Sequence, residues 1–270
     1  MIYYKSKYEF FNPERRKKPM KFGVADFGMN VWDGGCYDFQ TRLEELRTIG
    51  YDGTERLECI DAADAMYKAS AYRRMGMDFA TCRAPNVETT LRFSAALGLE
   101  YVWLTPGDAT RKIDMNTYLR RSSRFIECAA KFGLKTALHN HLGSRIENQE
   151  ELDLFMKECP GASLLLDIGH LHGAGGDILA AIDKYFDRIA AVHFKDVFIK
   201  DASLGLDVWS QRLRFCELGA GNSDEPWKEA AKLLKKRGYD KWVLVEHDTH
   251  LRDPLIDLKV SLDGLKKIFC

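Results

Sequence analysis

The feature that most constrains this chain is a rhythm. Eight short, β-rich apolar runs are separated by longer stretches of helical period, from Met20 to the C-terminus. The runs are "KFGVADF", "GTERLE", "DFATCRA", "YVWLTP", "KTALHNH", "SLLLDIG", "IAAVHFKD" and "KWVLVEHD". Between them lie amphipathic stretches such as "YDFQTRLEELRTIG", "VETTLRFSAALG", "TYLRRSSRFIECAAKFG" and "PWKEAAKLLKKRG", each closed by a glycine suited to a left-handed C-cap. Strand, helix, glycine, strand is the order of parallel βαβ units. Eight of them in about 250 residues match a (β/α)8 barrel, whereas an open doubly wound sheet uses fewer strands and binds at a switch point. The expected organisation is an N-terminal extension over 1–19 and a single (β/α)8 barrel over 20–270. Arg15, Arg16, Lys17 and Lys18 read as a solvated part of that extension. After the seventh strand one long irregular insert runs from about Phe198 to Ser223, and loops of such length are usually functional or disordered.

Forty basic and forty acidic residues cancel, so no global field draws the chain to nucleic acid or to an anionic membrane. The seven cysteines are scattered and form no CxxC pair, which fits reduced thiols in a cytoplasmic protein. No apolar stretch approaches the roughly 18 residues of a membrane span, and the charged start has no export signal.

All seven histidines fall in the second half of the chain, at or just past the ends of strands five to eight. In a barrel these ends converge on one mouth. Carboxylates accompany them. "LLLDIGH" ends on Asp167 with His170 three residues on, "AAVHFKD" delivers His193, Lys195 and Asp196, and "WVLVEHD" delivers Glu246, His247 and Asp248. Charges at the ends of buried strands cost several kcal/mol unless paired or coordinated, so the pattern asks for a shared cation or for a ring of salt bridges with Lys195 and nearby arginines. The mixed oxygen and nitrogen donors suit Mn²⁺, Zn²⁺, Co²⁺ or Mg²⁺ rather than a thiolate metal. Lys195, Arg212 and Arg214 are candidates to grip a substrate's oxygens, and Trp32 and Trp103 to stack on a ligand face or pack the rim. "LGAGNSDEPW" reads either as a backbone cradle for an anion or as a glycine turn into a helix cap.

"DIGH", "VHFKD", "LGAGN" and "VEHD", in this order and at barrel spacing, resemble the xylose isomerase-like TIM barrels, the group of sugar phosphate isomerases/epimerases and inosose dehydratases. These motifs carry the second half, while "GYDGTE" and the barrel rhythm carry the first. The resemblance implies a divalent metal held by a glutamate after strand five, an aspartate after six, a histidine after seven and a glutamate after eight. Asp167, His193 and Glu246 take the last three positions, and His170 matches a substrate-contacting position. Where many relatives read "LENH" this chain reads "LHNH", so His139 stands at the glutamate position. The inosose dehydratase branch is similar in its histidine-rich strand end and implies Glu147, in "GSRIE", as the replacement carboxylate. His139 as a direct ligand competes with that reading, and a first-turn helix role accounts for Glu147 without a metal.

Such a site can chelate a carbonyl and its neighbouring hydroxyl while Glu246, its pKa raised by burial, removes the α-proton to give an enediolate. Reprotonation gives a sugar isomerase or epimerase, the first expectation. Loss of a β-hydroxyl with histidine as general acid, His139 with His141 beside it, gives a keto-sugar or keto-inositol dehydratase (lyase), the runner-up. The expected partner is a sugar, keto-sugar or sugar phosphate, with self-association into a homo-oligomer left open. An endonuclease IV-like nuclease needs more ligands, some from the histidine-free first half. A non-catalytic sugar-binding barrel would not need Asp167, His193 and Glu246.

Overall fold

The computed structural model describes residues 20–25, 38–248 and 251–270; Trp32, His250 and the 1–19 extension lie outside them. Eight parallel strands form a nearly closed barrel: β1 (Lys21–Ala25), β2 (Gly53–Glu58), β3 (Asp78–Arg83), β4 (Tyr101–Trp103), β5 (Lys135–His139), β6 (Ser163–Asp167), β7 (Ile189–Phe194) and β10 (Trp242–Glu246). Each lies inside one of the eight apolar runs. Their order around the ring is β3-β2-β1-β10-β7-β6-β5-β4, and no backbone ladder joins β3 to β4.

Helices follow the strands: α1 (Phe39–Ile49), α2 (Ala62–Arg74), α3 (Val87–Ala96), α4 (Met115–Ala130), α5 (Gln149–Glu158), α6 (Ile168–Gly173), α7 (Ile178–Tyr185), α9 (Pro226–Lys236) and α10 (Pro254–Phe269). Side-chain caps start most of them, as Asp38 does for α1 and Asn148 for α5. The expected glycine stops hold: Gly50, Gly98, Gly133 and Gly238 all have positive φ.

Outward strand residues such as Val24, Leu57, Leu166 and Val245 pack against Leu43, Leu91, Phe155 and Leu262 of the helices, each side chain contributing about 1.5–3 kcal/mol on burial. Inside the ring, Ala25, Ala80, Ala137 and Ala191 sit with Tyr101, Leu165 and Leu244. The four alanines leave room inside the ring for the large polar side chains of the centre.

The long insert is not irregular. Strand β8 (Asp196–Ile199) pairs antiparallel with β9 (Leu213–Cys216), and a 3₁₀ turn (Leu206–Val208) leads into α8 (Trp209–Arg212). Arg212 donates to the carbonyls of Ala202 and Leu204, which closes the insert on itself. On its underside Val197, Leu213 and Phe215 form a separate apolar cluster with Leu142. Among the described residues no helix is long and apolar enough to cross a membrane.

Candidate metal centre

The stretch "HNH" joins two strands. His139 ends β5, and Asn140, buried, donates its Nδ2–H to the Asp167 carbonyl at 2.9 Å while its Oδ1 accepts the Asp167 N–H at 2.9 Å. Asn140 thereby extends the β5–β6 pairing by side-chain means and fixes the end of β6. Asp167 divides its carboxylate between two tasks. Oδ1 caps α6 by accepting the His170 N–H at 2.7 Å, and Oδ2 faces His139 Nε2 at 3.3 Å and His193 Nδ1 at 3.5 Å.

From β7, His193 is fully buried, with Nδ1 3.0 Å from Glu246 Oε2. Its Nε2 lies 3.0 Å from Oε1 of Glu55, a residue in the middle of β2 with 0% exposure. The Trp103 indole N–H donates to the same oxygen at 2.8 Å. Lys195, just past β7, places its Nζ 2.7 Å from Glu246, 2.9 Å from Asp248 and 3.2 Å from Asp167.

His139, Asp167, His193 and Glu246 each offer one ligand atom, and these four atoms lie within 4.8 Å of one another. Two nitrogens and two oxygens at this spacing fit a divalent ion of intermediate softness. The charge balance agrees. Four carboxylates, Glu55, Asp167, Glu246 and Asp248, face Lys195, Arg56 and the protonatable His193, so negative charge still exceeds positive in a largely buried volume.

Electrostatics follow from this crowding. Burial pushes the Asp167 and Glu246 carboxyls up, but the Lys195 ammonium foremost holds both below the ordinary range. The expected upward shift of Glu246 is therefore reversed, because the sequence does not show that Lys195 reaches it. Burial raises Asp248 and Lys195 does not fully offset it. Burial favours neutral His193, yet Glu55 and Glu246 outweigh it and lift its pKa. His141 is pushed down to about 4, by burial first and then by His139 and Lys195.

The structure sorts the remaining candidates. Glu147 is not in the donor group: its carboxylate accepts the Gly143 N–H at 2.5 Å and pairs with Arg111 at 3.3 Å, and His139 stands with Asp167, His193 and Glu246 instead. His141 and His170 stack with ring centroids 3.7 Å apart, and His170 Nε2 lies 3.0 Å from Lys195 Nζ. Trp103 packs beside His139 at 4.7 Å between centroids. Arg214 is not brought in. It stacks on Phe198 at 4.6 Å, while its neighbour Phe215 covers His170 and Lys195. The "LGAGN" loop has an internal anion, since Asp196 Oδ2 accepts the N–H groups of Gly219 and Gly221 at 2.9 and 3.3 Å. A Cβ at Gly221 would lie 2.4 Å from the same carboxylate. Glu58 and Arg83 pair at the exposed rim. The residue the sequence reading missed is Glu55, inside "GYDGTE".

The family profile described as xylose isomerase-like TIM barrel matches residues 83–268. The inosose dehydratase of Bacillus licheniformis is 33% identical over 140 residues, covering 48% of this chain and 46% of that protein. The chain thus spans about half the length of the curated relatives it matches. Among solved structures, D-psicose 3-epimerase from Clostridium cellulolyticum H10, determined with D-tagatose, superposes with a TM-score of 0.68 at 15% identity, over 93% of this chain and 99% of that one. The IOLI protein with a bound zinc atom superposes with a TM-score of 0.67 at 16% identity, over 93% and 98%. At these identities the structural matches establish the shared fold.

Proposed function

We propose, since this chain belongs to the xylose isomerase-like TIM barrel family, that it is a divalent-metal-dependent lyase that dehydrates a polyhydroxylated ketone of the keto-inositol or keto-sugar class. The observation that carries this reading is the replacement of a second carboxylate in the donor group by His139, with the stacked pair His141 and His170 beside it. The inosose dehydratases among its relatives support the substrate class.

His139, Asp167, His193 and Glu246 would hold the ion. When bound, it supplies Lewis-acid stabilisation of the negative charge that develops on a carbonyl oxygen as the α-proton leaves. Glu246 is the proton acceptor. It is ionised because Lys195 and His193 oppose the burial of its carboxyl, and it is aimed inward from a strand end. Lys195, between Glu246, Asp167 and Asp248, is the fixed cation that neutralises charge and holds a substrate oxygen. His141 donates Nδ1–H to the Leu142 carbonyl at 2.6 Å, which leaves Nε2, kept free of a proton by burial, to accept a hydrogen bond from the hydroxyl that departs and orient it. His139 and His170 complete the histidine wall, His170 as the substrate contact, and Phe215 and Trp103 supply apolar surface. Glu246, having taken the α-proton, returns it to the departing β-hydroxyl, so that a C–H and a C–O bond break, the C=C bond forms and water leaves.

Isomerisation or epimerisation shares the first proton transfer, and the same ionised Glu246 serves it. Incubation with Mn²⁺ or Co²⁺ and a panel of ketoses and keto-inositols in D₂O separates the two. Dehydration gives the enol of a 1,2-diketone, which ketonises to a deoxy-dione that carries deuterium at the former β-carbon and is trapped by an aromatic 1,2-diamine. Epimerisation gives a new stereoisomer carrying deuterium at the α-carbon. The second result, without the first, overturns the lyase reading.

A further inference from the structure

We infer that Glu55 is a positioning residue for the metal centre: by accepting the Nε2–H of His193 it fixes the tautomer whose Nδ1 lone pair points at the donor group. The inference rests on the metal reading above. Neutral imidazole carries one N–H, and which nitrogen bears it depends on the partners. A carboxylate can only accept, and both nitrogens face one at 3.0 Å, Glu55 Oε1 at Nε2 and Glu246 Oε2 at Nδ1; only Glu246 belongs to the donor group, so an ion there would take the place of the Nδ1 proton and leave Nε2–H with Glu55. Nδ1, 3.0 Å from Glu246 and 3.5 Å from Asp167, is then the atom that joins the other donors.

The geometry is specific to this role. Glu55 is completely buried on β2, separated from β7 around the ring by β1 and β10, and its side chain crosses the barrel to reach His193. Its Oε1 is held in turn by the Trp103 indole N–H at 2.8 Å, so the acceptor cannot swing away from the imidazole. On the backbone side, the Thr81 hydroxyl donates to the Glu55 carbonyl at 3.0 Å. A fully buried carboxylate placed only to fill space would cost several kcal/mol. Here it has two donors converging on one oxygen, and one of them is a candidate ligand. Carboxylate, histidine and metal in series is a recurrent arrangement that raises ligand basicity and fixes ring orientation.

The test uses Co²⁺, whose visible spectrum reports its ligands. Glu55→Gln is expected to weaken Co²⁺ binding roughly 10- to 100-fold and to alter the visible bands, while the metal-free variant keeps an unfolding midpoint close to wild type. Long-range ¹⁵N–¹H spectra of the Zn²⁺-loaded wild-type protein should show His193 protonated at Nε2 and metal-bound at Nδ1, a readout that stands even if the variant does not fold. Unchanged Co²⁺ affinity and spectrum in Glu55→Gln, or zinc on Nε2, overturns the inference alone. A wild-type chain that takes up no Co²⁺ overturns the metal reading, and the inference with it.

Discussion

Asn140 holds both polar groups of the Asp167 backbone, donating to its carbonyl and accepting from its N–H at 2.9 Å each. Both partners are buried, so Asn140→Ala strands a donor and an acceptor at about 1–3 kcal/mol apiece. We expect a loss of about 2–5 kcal/mol in urea unfolding, together with weaker metal binding as the end of β6 loosens. A change below about 0.5 kcal/mol would remove Asn140 from the account of how Asp167 is aimed.

His141 gives the pH dependence. Its native pKa of about 4 lies below the ordinary value of 6.5, because burial and the neighbouring His139 and Lys195 disfavour the charged ring. As pH falls from 6.5 towards 4 the unfolded chain takes up a proton that the native chain refuses, so stability drops through that window and levels off below it. The loss is on the order of 2–4 kcal/mol. Urea midpoints at pH 7, 6 and 5 in chelator should show this slope, and His141→Gln should make it shallower, buried His170 and His172 keeping the remainder.

Metal removal should be visible without a substrate. An ion at about one hundred times its Kd adds about 2.7 kcal/mol to the native state. Thermal melts with EDTA and with Mn²⁺ or Co²⁺ should therefore differ by several degrees. Asp167→Asn and His193→Ala should abolish the difference, and a shift that survives both substitutions places the ion elsewhere.

Glu147 and Glu246 should separate cleanly. Glu147→Gln weakens the Arg111 contact between the β4–α4 and β5–α5 loops, with an expected loss of about 1 kcal/mol or less and unchanged metal stoichiometry. Glu246→Gln should lower kcat by roughly 10²- to 10⁴-fold with the fold intact. Metal analysis of both variants beside their kinetics checks the assignment; loss of metal in Glu147→Gln would restore it as a ligand.

The barrel was legible because each strand is a dense apolar run that stops on a charge and each following helix is capped and stopped by residues of known conformational preference. Asp167, His193 and Glu246 were legible for the same reason: "LLLD", "AAVH" and "LVE" announce a strand end, and topology brings the ends together. Glu55 was not. It sits mid-strand in "GTERLE", where its neighbours Arg56 and Glu58 make it look like one of several surface charges, and its partner is 138 residues away across the ring. The choice between His139 and Glu147 was also hidden, because it turns on Arg111 and the Gly143 N–H, which belong to loops without periodicity. The β8–β9 hairpin escaped because four-residue strands separated by a long turn leave too little alternation to detect.

Where β3 and β4 share no backbone ladder, the ring has a gap, and Glu55 on β2 reaches past it to the indole of Trp103 on β4. One oxygen atom is therefore both tie and sight: it links β2 to β4 across the gap and sets the aim of an imidazole on the far wall. A shift of Trp103 relative to β2 would reach His193 through that one atom, so the packing of the indole and the orientation of the imidazole are set together.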